Sequence, residues 1–169
     1  MPKLLVGFVR VVDRVNYFVG RIMMYSIFFL IGVLMYSIIA KKAFLIPPFW
    51  TLEVAQFTLV AYYLLGGAYS IQLGANVRMD LFYSRWSTRK KAWVDSFTVL
   101  LLIFYLGVML YGGVDSMLYS IKYNQHSASM WRPQIWPVKA IMVTGIFMML
   151  MQALSELIKD IATLRGKEL

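Results

Sequence analysis

Four long stretches of this sequence carry no charged side chain: residues 22–40, 54–77, 96–114 and 140–155. A helix that crosses a bilayer needs about 20 mostly apolar residues. Inside hydrocarbon the backbone must satisfy its own hydrogen bonds, so each stretch is expected to be helical. The fourth extends back to residue 136, past Lys139, whose long side chain can reach the interface. The sequence therefore predicts an all-α membrane protein, residues 1–169, with spans at about 22–40, 54–77, 96–114 and 136–155.

The composition agrees with a membrane protein and excludes several kinds of chemistry. The chain is 60% hydrophobic and only 15% charged, whereas soluble domains are closer to half apolar and a quarter charged. It has no cysteine, which excludes disulfides and thiol catalysis. The single histidine, His126, excludes a bis-histidine haem within one chain and is interpreted as an exposed loop residue. No catalytic, metal-binding or cofactor-binding spacing is found, so we expect neither an enzyme nor a cofactor.

The residues before the first span have the pattern of an amphipathic helix. Apolar positions recur at helical spacing over residues 3–21, and polar or cationic positions occupy the other side. This predicts a helix lying in the membrane interface; the alternative is an extension of the first span into water. The apolar run that follows is too long for a signal peptide. The apolar positions are Leu5, Phe8, Val12, Val15 and Val19, and the others are Lys3, Gly7, Arg10, Arg14, Tyr17 and Arg21.

The loop cations predict the orientation of the chain. Twelve of the 17 Lys and Arg residues lie in the N-terminal segment, in the stretch between the second and third spans, or in the C-terminal tail. The other two loops hold the remaining five. Because Lys and Arg favour the cytoplasmic side, both termini are expected in the cytoplasm. The net charge of +9 is not taken as a sign of nucleic acid, since the cations flank the spans, where anionic lipid attracts them.

The basic stretch between the second and third spans reads "GANVRMDLFYSRWSTRKKAWVDS", residues 74–96. It combines cations with two tryptophans, which favour the headgroup level. A Ser-Thr pair at 87–88 provides a possible N-cap for a helix that continues into the third span. We expect five residues of this stretch to fix it against the third helix or a partner: Arg78, Asp80, Trp86, Arg89 and Trp93.

One stripe of small residues lies on the second span. Gly66, Ser70 and Gly74 repeat every four residues, which allows another helix to come close. The sequence favours a helix of the same chain over a partner helix.

None of the uncharged stretches offers a group that could hold an ion or an ionic substrate at membrane depth, as a transporter working alone requires. The acids Glu53, Asp115 and Glu156 lie near span ends and are interpreted as solvated.

Two segments resemble a known family. "LGANVRMDLFYSRWSTRKKAWVD" (residues 73–95) resembles the signature loop of the DctQ-type small membrane subunit of TRAP (tripartite ATP-independent periplasmic) transporters. "WPVKAIMVTGIFMMLMQALSELIKDI" (residues 136–161) resembles the fourth helix of that family. The family often has His where Asn76 stands. The matching loop positions are Gly74, Val77, Arg78, Asp80, Leu81, Ser87, Arg89, Ala92 and Asp95.

The resemblance implies a role inside a larger transporter. Such a subunit pairs with a large membrane subunit that binds sodium and substrate and moves as an elevator. A periplasmic solute-binding protein delivers an organic acid, and the small subunit braces the large one in the bacterial inner membrane. Sodium coupling would then belong to the large subunit. The alternatives are an autonomous small oligomeric transporter and an anchor subunit of another membrane complex, such as a redox enzyme.

The resemblance also gives a possible role to the outer loop cations. Lys41, Lys42, Lys122 and Arg132 would form a mildly positive surface on which the binding protein docks. The alternative, that such cations reach only to lipid phosphates, is open for each of them. Lys122 and Arg132 are further from the spans and are favoured for protein contact.

The first prediction concerns orientation. Reporter fusions at Lys167 and near Ser127 are expected to report opposite sides of the membrane, with Lys167 in the cytoplasm, because of the cation distribution. Paired reporters that are active on only one side measure this. A periplasmic signal from the fusion at Lys167 would contradict the orientation.

Overall fold

A computed structural model describes residues 3–45, 48–74 and 88–164. They form four α-helices: α1 (Lys3–Phe44), α2 (Thr51–Gln72), α3 (Thr88–Lys122) and α4 (Trp136–Leu164). Each helix contains a segment long and apolar enough to cross a membrane. The predicted all-α fold with four membrane-spanning helices is confirmed.

Helix α1 is longer than one span requires. Its 42 residues extend over ~63 Å at 1.5 Å per residue, about twice the thickness of the hydrocarbon. The helix predicted for residues 3–21 is present, but no break separates it from the span at 22–40. Gly20 remains helical where α1 crosses α2, and a Cβ at this position would overlap the Tyr69 side chain. Next to it the rings of Tyr17 and Tyr69 meet edge to face at 5.7 Å. Helix α1 is therefore continuous across this junction, where it packs on α2.

The ends of the helices follow local signals that hydropathy does not detect. Helix α2 ends at Gln72, five residues before the predicted limit of the second span. Gly74 follows with a φ of 61°, and its N–H donates to the carbonyl of Ile71, as in the left-handed turns that close many helices. Residues 75–87 lie outside the described part of the chain. Helix α3 is described from Thr88 and continues to Lys122, beyond the predicted limit at 114. The predicted cap at 87–88 lies at the edge of the described residues and stays a prediction.

Helix α4 is the centre of the assembly. It packs against α3 and α2, and to a smaller extent against α1, while α1 packs mainly on α2. The core joins Leu106 of α3 to Ile146 and Ala153 of α4. Gly145 allows α2 to lie very close, because an added Cβ would be 2.8 Å from the Leu64 Cβ and 2.9 Å from the Leu64 carbonyl carbon. A larger residue at 145 would have to push the α2 backbone away.

A polar cluster joins α1 to α4 at the end of the assembly that carries both described termini, called here the terminal end. The Asn16 side-chain amide donates to Gln152 Oε1 at 2.5 Å. The Gln152 amide donates in turn to Asp13 Oδ1 at 2.9 Å, and Ser155 Oγ donates to the same oxygen at 3.2 Å. Lys159 Nζ lies 2.8 Å from Asp13 Oδ2. Asn16, Gln152 and Ser155 are fully buried, so each needs these partners.

Three further contacts extend the terminal cluster. Lys159 Nζ lies 2.9 Å from Glu156 Oε1, which also accepts a hydrogen bond from Gln152 at 3.0 Å. The Gln72 amide at the end of α2 donates to the Asp13 carbonyl at 3.1 Å. Three helices therefore meet around Asp13. Glu156 is half-buried and paired, so the interpretation of this acid as simply solvated is wrong.

The second prediction concerns this cluster. Asp13→Ala removes the acceptor shared by Gln152, Ser155 and Lys159, and the loss of charged hydrogen bonds should destabilise the protein by about 1–3 kcal/mol. The midpoint of thermal unfolding of the purified chain in detergent measures the change. Asp115→Ala is the control, because Asp115 is an exposed carboxylate on α3.

Equal midpoints for the two variants would contradict a stabilising role for Asp13. Exchanging the charges, with Asp13→Lys and Lys159→Asp in one chain, should restore part of the loss.

Candidate functional site

The opposite end of the assembly, called here the loop end, carries an ordered hairpin. Residues 125–135 turn back on themselves between α3 and α4, with a bridge between His126 and Gln134. The Ser127 N–H donates to the Pro133 carbonyl at 2.9 Å, and the Ile135 N–H donates to the Gln125 carbonyl at 3.1 Å. His126 is exposed, as predicted. The segment that looked like a flexible loop in the sequence has a defined path.

Glu53 fixes this hairpin to α2. The carboxylate is only 6% exposed and lies in the first turn of α2. Its Oε1 atom accepts a hydrogen bond from Ser127 Oγ at 2.5 Å. Its other oxygen, Oε2, is buried and has no hydrogen-bond partner among the described residues. The interpretation of Glu53 as a solvated acid is therefore wrong, whereas Asp115 is exposed as predicted.

Other polar contacts connect the remaining helices at the loop end. Thr51 Oγ1 lies 3.0 Å from Ser37 Oγ and 2.9 Å from the Pro48 carbonyl, which joins the start of α2 to α1. Lys139 Nζ donates to Ser120 Oγ at 2.6 Å and to the Ser116 carbonyl at 3.2 Å, which joins α4 to the last turns of α3. Lys139 is half-buried, and these hydrogen bonds join α4 to α3.

The four predicted docking cations all lie at the loop end and are exposed. Lys41 and Lys42 occupy the last turn of α1, and Lys122 closes α3 with its ammonium 5.7 Å from the centre of the Tyr123 ring. Arg132 lies in the hairpin with a φ of 47°, a left-handed conformation that costs a non-glycine residue roughly 1–2 kcal/mol. The hairpin contacts therefore hold Arg132 in a conformation that the chain alone disfavours.

Large apolar side chains lie exposed near these cations. Met130 is 80% exposed and Trp131 is 48% exposed, and both precede Arg132 in the hairpin. Leu45, which follows Lys41 and Lys42 at the end of α1, is 86% exposed. Exposed cations next to exposed apolar groups suit either a membrane interface or a protein partner.

Most of the predicted basic loop lies outside the described residues. Arg78, Asp80 and Trp86 fall in the gap at 75–87, and Arg89 lies in the first turn of α3. Trp93, one turn further along α3, is 67% exposed. The hypothesis that these residues fix the loop stays a prediction.

The predicted packing stripe does not make the closest contacts within the chain. A Cβ added at Gly66 or Gly74 would have no atom of the described residues within 4 Å. Gly74 instead supplies the positive φ that ends α2. Among the described glycines, the closest approaches between helices are at Gly20 and Gly145, where an added Cβ would lie less than 3.0 Å from an atom of another helix. The sequence favours packing of this stripe within the chain; contact of Gly66 and Ser70 with a partner helix is the alternative, and it stays open.

The sequence reasoning missed the residues of the terminal cluster and the partner of Glu53. Asp13 is the one acid in the first 21 residues, and Asn16 lies three positions further on the same face of a helix. In α4, Gln152, Ser155 and Lys159 share a face at spacings of three and four. Two polar faces of this kind in one chain are a readable signal for helix pairing. Ser127, by contrast, has no such pattern.

A comparison with protein-family models gives the chain its family. The model for the DctQ component of tripartite ATP-independent periplasmic transporters matches residues 30–163, which extend from the middle of α1 to the last turn of α4. No curated protein matches the chain. The predicted resemblance is confirmed: the chain belongs to the DctQ family and is a small membrane component of a TRAP transporter.

Proposed function

We propose that this chain braces the large elevator subunit of a sodium-driven TRAP transporter for organic acids. It would lie in the bacterial inner membrane and help to dock the periplasmic solute-binding protein. The family supports a role beside a large subunit and a binding protein. Sodium and substrate would be held by the large subunit, so the small subunit needs no cofactor of its own.

The observation that carries the bracing role is the distribution of polar contacts between the helices. At the terminal end Asp13 joins α1 to α4, and at the loop end Glu53 joins α2 to the hairpin before α4. Between these ends the uncharged stretches meet through apolar side chains and glycines. Connections at both ends resist sliding of one helix along another, which suits a static support.

The docking role rests on the exposed groups of the loop end. Its exposed cations include Lys41, Lys122 and Arg132, against one exposed acid among the described residues, Asp115 of α3, while Glu53 is buried. This end therefore presents positive charge to a partner. Such charge mainly accelerates encounter and orients the partner, and salt weakens the effect. The hairpin bonds keep Arg132 in one place, which favours a specific contact over a diffuse one.

The two alternatives have less support. An autonomous transporter would need a group to hold its ion or substrate at membrane depth. The uncharged stretches offer only amides, hydroxyls and phenols there. An anchor for a haem-containing enzyme usually supplies histidines from its spans, and the one histidine of this chain lies in the hairpin.

The third prediction tests whether the chain can transport a substrate by itself or only supports the large subunit. Liposomes containing the purified chain alone should take up no organic acid under a sodium gradient, because the chain would lack the sites for both. Liposomes with the large subunit and binding protein should show uptake that depends on this chain. Uptake of a labelled acid measures both. Concentration of a substrate by the chain alone, or full uptake without the chain, would overturn the bracing role.

The fourth prediction tests docking. Reversing Lys122 and Arg132 to Glu should slow uptake at limiting binding-protein concentration and have a smaller effect when the binding protein is in excess, because a weaker association is compensated by mass action. Titration of uptake against binding-protein concentration measures this.

The matched control reverses two exposed cations at the terminal end, Arg10→Glu with Arg14→Glu. Its dependence on binding-protein concentration should equal that of the wild type. The same dependence in the Lys122 and Arg132 variant would exclude these two cations from the docking surface.

A further inference from the structure

One face of α2 carries polar and small residues together with two leucines, and no other described helix covers it closely. The positions follow one another at alternating spacings of four and three, so they lie along a single side of the helix. Most of them are exposed, and the others are half-buried. This face is called the outer stripe: Leu52, Gln56, Leu59, Tyr63, Gly66 and Ser70.

The neighbouring helices occupy the other sides of α2. Leu64 lies against Gly145 of α4, and Gly67 faces Met149 of the same helix. Tyr69 lies against α1 at Gly20, and Gln72 reaches Asp13 of α1. Helices α1 and α4 therefore cover the faces next to and opposite the outer stripe and leave the stripe itself facing outward.

Two polar side chains of the stripe lie at membrane depth. Helix α2 has 22 residues and a length of ~33 Å, which places Tyr63 near its midpoint and Gln56 about 9 Å from it. Tyr63 is 65% exposed, and Gln56 is exposed. Neither the phenol nor the carboxamide forms a hydrogen bond within the described residues. Facing lipid, these groups would have no partner, which is unfavourable in hydrocarbon.

The stripe also has room for a second helix. A Cβ added at Gly66 would have no atom of the described residues within 4 Å, so the backbone is open to close approach from outside. Gly66 lies less than one turn from Tyr63. Small residues beside polar ones are typical of helix–helix contacts in membranes rather than of surfaces that face lipid.

We infer that the outer stripe of α2 binds a membrane-spanning helix of the large subunit. That helix would cross α2 at Gly66 and offer hydrogen-bonding groups to Tyr63 and Gln56. The inference rests on the proposed function, which supplies the large partner. A second copy of this chain fits less well. Pairing of two parallel stripes would bring together two basic stretches, since residues 78–91 follow α2 with five cations, and like charges oppose such pairing.

The first experiment compares three glycines that have equal room within the chain. Gly66 of α2, Gly32 of α1 and Gly112 of α3 all lie in candidate spans, and an added Cβ at each meets no described atom within 4 Å. Each is changed to Leu in a tagged chain that is coexpressed with the large subunit. Gly66→Leu should reduce the copurified large subunit by roughly tenfold, as a blocked helix contact would, while the other two variants retain recovery close to wild type.

Two results would overturn the inference. One is normal recovery with Gly66→Leu, and the other is an equal loss in all three variants. Membrane insertion of each variant is checked separately, so that a failure to insert is not counted as a loss of binding. If the wild-type chain itself recovers no large subunit, the proposed function fails, and this outcome is distinct from a failure of the stripe alone.

Cross-linking identifies the occupant directly. Because the chain has no cysteine, Tyr63→Cys introduces a single thiol on the outer stripe, and Phe104→Cys places the control thiol on the exposed face of α3. A bifunctional thiol- and photo-reactive reagent is applied in native membranes. A product at position 63 that contains the large subunit, in higher yield than at position 104, supports the inference. A product between two copies of this chain, or no protein product at position 63, overturns it.

Discussion

Hydrocarbon cannot form hydrogen bonds with a polar side chain, so helices that cross it make apolar contacts along the span and polar contacts near its ends. In this chain the polar contacts between helices follow that division. Asp13 and Gln152 pair at the terminal end, and Glu53 and Ser127 pair at the loop end. Along the span, Gly145 brings α2 and α4 together without a polar group. The polar contacts near the ends therefore fix the positions of the helices along the membrane normal, and the packing contacts in the middle fix the distances between them.

The spans could be predicted because transfer into a bilayer depends on the total apolar character of a segment, which the sequence displays directly. The ends of the helices depend on other causes. Gly74 ends α2 through a positive φ, although the apolar run continues to Val77. Helix α1 continues past residue 21 without a break, and Gly20 and Tyr17 pack on Tyr69 at this point. That contact joins residues about 50 positions apart in the chain, and no local sequence pattern predicts it.

The candidate site likewise has some features that the sequence predicts and others that depend on distant residues. Exposure of Lys41, Lys122 and Arg132 follows from their positions beyond the span ends, and the sequence predicts it. Burial of Glu53 depends on Ser127, which is 74 positions away, and a carboxylate at the start of a helix is more often solvated or held by the helix terminus itself. The sequence alone therefore could not distinguish an acid on the docking surface from one beneath it. Burial of Glu53 removes one of the acidic groups from the surface that a partner would meet.

The match to the family begins at residue 30, which places Asp13 and Asn16 outside it and their partners Gln152, Ser155 and Lys159 inside it. The terminal cluster therefore connects the start of α1, which lies outside the match, to α4, which lies inside it. Gln152 and Ser155 are fully buried, and a buried amide or hydroxyl is costly unless it is hydrogen-bonded. In this chain Asp13 of α1 supplies the acceptor for both, so α1 is joined to α4 within one subunit. The carboxamide of Gln56 and the phenol of Tyr63, by contrast, form no hydrogen bond within the described residues, and they lie on a face of α2 that neither α1 nor α4 covers closely.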